Sequence, residues 1–253
     1  EPACVASGCR YTDARRSYAV TPDTVLDFWF GALRNGWTAE DRGDMWFRGD
    51  AELDARLRAR FGEGLERAAQ GACDDWRESA TGALALILLF DQFPRNMFRG
   101  TAQAFACDER ALTVCEAGLA TGQDARLPPV CRIFFYLPLQ HSEDPRRQDR
   151  SVELYARLRS RAGGGEASGE PSFSNRDAPA ERGALAGRQG ALAPEEMERR
   201  RAALEESYRH ALAHRDLIAR FGRFPHRNAV LGRKSTAEER AYLQSSGQHF
   251  GQG

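Results

Sequence analysis

The chain has 253 residues, 42% of them hydrophobic, with equal numbers of acidic and basic side chains. That length and apolar content support a sizeable folded core and exclude a disordered chain. Zero formal net charge removes any global field that would draw in nucleic acid or an anionic membrane. The longest unbroken apolar run, Ala83 to Phe90, falls far short of the ~20 residues a spanning helix needs.

Residues 1–20 read as a loose tail. A start at Glu1 is what either an excised targeting segment or a cut chain leaves. Next, "TPDTVLDFWFG" predicts a helix with Thr21 as cap, Pro22 in the first turn and Gly31 as stop. "GDAELDARLRARFGEGLERAAQG" places Leu53, Leu57, Phe61 and Leu65 on one helical face, with a break at Gly62 and Gly64 allowed for. "ATGALALILLFDQF" is apolar nearly all round, so it belongs inside a bundle, and Pro94 is expected to end it. An amphipathic helix follows, "CDERALTVCEAGLATG", capped by Asp108 and closed by Gly122. "PVCRIFFYLPLQHSED" is expected to stop at Pro138, and "QDRSVELYARLRS" is the next helix.

Residues 161–193 are rich in Gly, Ser, Ala and Pro and read as a flexible insertion. A long helix runs from Pro194 to about Phe221, and Ser235 with Glu238 has capping-box spacing for a last one. No convincing strand is visible. The expectation is an all-α fold built from helix pairs: one domain over residues 21–245, interrupted at 161–193, with a C-terminal tail at 246–253.

Six cysteines occur without a C-x-x-C pair, so zinc-site spacing is absent. Four are scattered and read as buried thiols of a reducing compartment, cytoplasmic or the matrix or stroma of an organelle; Cys4 and Cys9 sit close enough in sequence to pair under oxidation. The phosphate-loop, H-E-x-x-H and G-x-S-x-G motifs are all missing, and no cofactor is indicated.

One phrase is written twice. "LLFDQFPRNMFRG" and "IARFGRFPHRNAVLGR" both run apolar, then Phe-Pro, then basic residues and Asn. Each reads as the stop of a buried helix. Arg95, His226 and Arg227 fall where a helix dipole welcomes cations, and Asn96 and Asn228 can bond neighbouring carbonyls. Two such ends from packed helices would line one polar cleft.

Those phrases, with "YLPLQHSED", "VLDFWFG" and "WFRGDAELD", resemble the bacterial domain-of-unknown-function family 924 over about residues 22–245. The resemblance implies an all-helical fold like a tetratricopeptide-repeat superhelix and assigns no activity. The insertion and the N-terminal tail depart from the family pattern.

The candidate chemistry is therefore read from residues. His141 and Glu143 follow Pro138, and His214 lies on the apolar face of its helix with His210 a turn before it. His141, Glu143, His214 and Asp91 could hold a metal if the fold brings them together, or His141 could act as a base oriented by Glu143. An anion site is the second candidate: Arg233, Lys234 and Ser235 precede a helix start, with Arg223 and Arg227 nearby. The preferred reading is a binding module for a small molecule, peptide or protein, with Asp91, Arg95, Asn96, His141, Glu143, His214, Arg223, His226, Arg227 and Asn228 lining its cleft. A metal-assisted hydrolase built on His141, Glu143 and His214, and a scaffold subunit of an organellar complex, are the alternatives.

Overall fold

The structure, a computed structural model, describes residues 20–47, 49–163 and 192–246. The expected tails and almost all of the insertion lie outside the described residues, as do Cys4 and Cys9.

The fold is all-α. Helix α1 is Pro22–Phe30; Thr21 and Thr24 cap each other reciprocally, and Gly31 stops the helix at φ 62°. The chain then makes a small antiparallel hairpin, β1 (Leu33–Arg34) with β2 (Trp37–Thr38). This ladder was not expected from periodicity because it is only two residues long on each side. Its signal is the turn: Asn35 (φ 48°) and Gly36 (φ 73°) both take left-handed angles, as a two-residue hairpin turn requires. The hairpin packs on Pro129, whose Cδ would lie 2.8 Å from any Cβ at Gly36.

Short helix α2 (Gly43–Phe47) is held by Trp46 Nε1 donating to Trp29 O at 3.0 Å. Helix α3 (Ala51–Ala69) is capped by Asp50, which accepts from Leu53 N–H. It runs unbroken through Gly62 and Gly64. Gly64 is there for close packing: a Cβ would sit 2.7 Å from the Val20 side chain.

The apolar segment forms α4 (Ala80–Ile87), a π-helical turn (Leu88–Gln92) and α5 (Phe93–Met97) in one continuous rod. Pro94 does not end it. A proline inside an α-helix removes one hydrogen bond and drives its ring into the carbonyl four residues back. Here the turn is widened, so that Phe93 N–H reaches Leu88 O five residues earlier. Two carbonyls of the widened turn are bonded by side chains instead: Arg95 Nη1 donates to Asp91 O at 2.8 Å, and Asn96 Nδ2 donates to Gln92 O at 3.0 Å. The sequence "DQFPRN" thus builds a bulge that turns polar groups inward, a common use of π-turns.

Helices α6 (Asp108–Ala120), α7 (Pro129–Gln140), α8 (Pro145–Gly163), α9 (Pro194–Phe221) and α10 (Ala237–Ser246) complete the order. Helix α7 passes through Pro138 and ends at Gln140. The lost bond is tolerated because only a few residues remain, and Phe134, Phe135 and Leu139 are fully buried. Asp108 stands in the first turn of α6, not at the cap, which is Cys107. The capping box of α10 is Thr236 with Glu239, one residue later than Ser235 and Glu238. Gly222, in the left-handed region at φ 69°, stops α9.

The α4–α5 rod lies at the centre, packed by α1, α3, α6 and α7. Trp29 meets Phe93 at 5.5 Å and Phe134 at 5.7 Å, and Phe61 meets Phe93 at 4.9 Å between ring centroids. Phe93, next to the proline expected to end the helix, is a fully buried core residue. Helices α8 and α9 pack along each other against α7. Among the described residues, no helix is long and apolar enough to cross a membrane.

Candidate functional site

The π-turn aims Asp91 into the protein, where it is almost fully buried. Its Oδ1 lies 2.8 Å from His141 Nδ1 and 3.2 Å from Arg95 Nη1, and its Oδ2 accepts from Gln92 Nε2 at 2.6 Å. Burial alone would raise the Asp91 pKa. The positive charge of Arg95 and the hydrogen bonds reverse that and hold it well below the usual carboxylate range. His141 is pushed the other way: burial and the nearby Arg95 charge depress its pKa despite Asp91. At neutral pH the pair is therefore an ionised Asp91 and a neutral His141. The tautomer follows from the geometry: Nδ1–H donates to Asp91, which leaves the Nε2 lone pair unprotonated. The described residues supply no hydrogen-bond partner to Nε2.

The doubled phrase meets at Asp108. Arg95, from the first copy, donates to both Asp108 oxygens at 2.8 and 3.0 Å. Arg227, from the second copy, donates to Oδ2 at 3.2 Å. Phe105 lies under both guanidinium groups, 5.5 Å from Arg95 and 4.6 Å from Arg227, and Phe224 lies 4.6 Å from Arg227. Two arginines face two aspartates, but unequally. Arg95 contacts both carboxylates, whereas Asp108 Oδ2 is the only acceptor the described residues give Arg227. Arg227 Nε is buried without a partner. Burial, then repulsion by Arg95, bring the Arg227 pKa down to about 10. The two copies differ in what they do to the backbone: the first stays helical through a bulge, and only the second is a true stop.

Arg95, Phe105, His141 and Arg227 line a cavity of about 560 Å³, whereas Asp91, expected on its wall, is not there, nor are Asp108 and Phe224. Its polar lining includes Gln92, Arg95, Asn96, Arg99, Gln140 and Arg227. Its apolar lining includes Trp37, Trp46, Phe47, Phe105, Phe134 and Tyr155. Trp46 packs edge-on against Phe134 at 4.8 Å and Phe47 at 6.2 Å. Four of the chain's five histidines, His141, His210, His214 and His226, border this one space. His214 Nδ1 donates to His210 O at 2.8 Å. Its 3.5 Å approach to Gln140 Nε2 is donor to donor and counts for little. Burial and His141 lower the His214 pKa, so it too is neutral.

Glu143 does not join His141. It turns to the second phrase, accepting from Phe224 N–H at 2.8 Å and from Arg233 at 2.7 and 3.0 Å. The expected convergence of His141, Glu143, His214 and Asp91 is therefore not what the fold makes: Asp91, not Glu143, orients His141. Among the described residues, no three His, Cys, Asp or Glu side chains come together in a way that could hold a metal ion.

The arginines of the expected anion turn are paired internally. Arg233 is paired with Glu143 and also donates to Phe224 O. Arg223 is paired with Glu239, and Ser235 accepts from the fully buried Asn228. Lys234 contributes its carbonyl to Arg223. Arg223, Glu143, Asn228 and this turn are absent from the cavity wall and brace the segment that delivers Arg227. Asn96 and Arg99 are on the wall, with Arg99 donating to Asn96 Oδ1 at 3.0 Å and paired with Asp54.

Sequence reasoning missed Asp108 as the partner of both arginines, and Phe105, Trp46 and the α9 face carrying Glu206 and Ser207 as parts of the cavity wall. The first of these had a signal: an acidic residue in a helix first turn is often only a dipole partner, but Arg95 and Arg227 needed counter-charges.

The chain is thus an all-helical protein enclosing a polar and aromatic cavity between a bulged central rod and its last long helix. It belongs to the family described as "Bacterial protein of unknown function (DUF924)", which it matches over residues 25–247. It is also similar to the solved structure of a protein of unknown function from Agrobacterium tumefaciens, at 34% identity and a TM-score of 0.64, over 89% of this chain and 97% of that one. No curated protein matches it.

Proposed function

We propose that the protein binds a small molecule with an apolar or aromatic body and an acidic head. The observation that carries this reading is Arg227, a buried guanidinium on the cavity wall with a single shared acceptor among the described residues. A cation so placed is expensive to bury unless a counter-charge arrives. An ionised carboxylate or phosphate entering the cavity supplies it. The Trp46–Phe47–Phe134 cluster offers the body a face to pack on. The volume falls within the roughly 300–1,000 Å³ of small-molecule sites. The cleft between helix ends favours a compact ligand over a peptide laid along a helical groove, because its polar groups converge on one centre.

Titration with anilinonaphthalene sulfonate and with its uncharged analogue N-phenylnaphthylamine tests this. Both carry the same aromatic body. The sulfonate is expected to bind one per chain and about 10-fold more tightly or better, an advantage that Arg227→Gln removes. Equal affinities, or an unaltered ratio in the variant, would show that Arg227 does not read an acidic head.

A further inference from the structure

Resting on that binding reading, we infer that the protein is an enzyme. His141 takes a proton from a carbon of the bound acid, Asp91 positions it, and Arg227 holds the charge that results. The geometry contains the parts that such a transfer needs and few others. His141 borders the cavity, and its Nε2 carries no proton and has no partner among the described residues, while Asp91 at 2.8 Å fixes the opposite nitrogen as donor. Asp91 is itself held by Arg95 and Gln92, so the ring is clamped in one tautomer and one orientation. The described lining has no cysteine. Its serine, Ser207, gives its hydroxyl proton to Ala203 O at 2.8 Å, which leaves no activated thiol or serine hydroxyl there for a covalent route. Proton transfer at carbon requires only a base and a cation near the developing oxyanion.

The substrate class follows: a carboxylic acid with a carbonyl beside a C–H bond, that is, a 2-oxo acid or a close relative with an apolar tail. The C–H bond breaks, the proton goes to His141 Nε2, and its electron pair moves into the carbonyl to give an enolate facing Arg227. Returning the proton to oxygen completes a keto–enol isomerisation, and returning it to carbon completes an exchange; neither needs an oxidant or second reactant. The groups facing His141 are Asp91 from the π-turn, Arg95 from α5, His214 from α9 and Arg227 from the turn beyond it. Of these only Asp91 favours the charged imidazolium, so the base stays in its working form at neutral pH.

Phenylpyruvate in deuterium oxide, followed by proton NMR, is the test. The wild type is expected to speed deuterium uptake at the methylene carbon above the buffer rate. That rate should rise with pH through an apparent pKa below the ordinary histidine value. His141→Gln is expected to lose on the order of 10²-fold of the excess rate while still binding anilinonaphthalene sulfonate. Asp91→Asn should retain some rate with a displaced pH profile, which a purely structural role would not produce. The wild-type profile decides the matter even if the buried Asp91 variant fails to fold. If phenylpyruvate displaces the dye but exchanges at the buffer rate, the catalytic inference fails and the binding reading stands. If it does not displace the dye, both fail for this head group.

Discussion

Asp108→Asn is the sharpest probe of the polar centre, because it removes one negative charge from between two buried guanidiniums. The wild-type carboxylate accepts three hydrogen bonds, at 2.8, 3.0 and 3.2 Å. The side chains of Arg95 and Arg227 are only 10% and 8% exposed, and that of Asp108 is 22% exposed. Asparagine keeps one acceptor oxygen and turns an amide donor toward a guanidinium donor. Breaking a buried ion pair from one side costs about 3–5 kcal/mol. The partial exposure of Asp108 places the expectation at the lower end, about 3 kcal/mol. Loss of an acidic residue from the first turn of α6 adds about 0.3–1 kcal/mol. Urea unfolding monitored by far-UV circular dichroism reads this directly as a lower midpoint at unchanged slope. The same variant should bind anilinonaphthalene sulfonate more tightly than the wild type, since the one carboxylate that the described residues give Arg227 has lost its charge and the guanidinium gains more from an arriving anion. A stability change under about 0.5 kcal/mol, the size of an ordinary surface substitution, would refute the claim that these cations depend on Asp108. Weaker dye binding would refute the account of Arg227.

The histidines make stability depend on pH. Folded His141 and His214 have pKa values below the ordinary 6.5; between those values and about 6.5 the unfolded chain binds more protons, so stability falls as pH drops through that window. The melting temperature should fall from pH 7 to pH 5, and His214→Gln should flatten the fall; an equal slope would remove His214 as a cause. Gly82→Ala gains about 1 kcal/mol of helix propensity, yet its Cβ would lie 2.2 Å from the backbone oxygen of Trp76, so thermal melting should show net destabilisation of about 1–3 kcal/mol. Glu143→Gln loosens the clamp on the second phrase; faster amide exchange at Phe224 is expected, with a global cost of about 1 kcal/mol because the Arg233 pair is partly exposed.

Local rules set most of the helices. Thr21–Pro22 begins α1 and Gly222 ends α9, because a capping oxygen, a prolyl ring and a left-handed glycine act on their immediate neighbours whatever surrounds them. The nearly all-round apolar character of residues 82–90 likewise placed that rod at the centre, since no solvent-facing side exists for that stretch. Local rules failed at Pro94 and Pro138, where burial of Phe93 and Phe134 outweighs a missing hydrogen bond and the helix bulges or simply continues. They failed again at His141. Glu143 is two positions away along the chain, and Asp91 is fifty. The sequence by itself determined which residues are polar in an apolar setting, and hence that Arg95, His141, His214 and Arg227 required explanation. Only the tertiary structure decided their partners, because an ion pair depends on distance in space, and the packing of α7 and α9 against the bulged rod sets that distance.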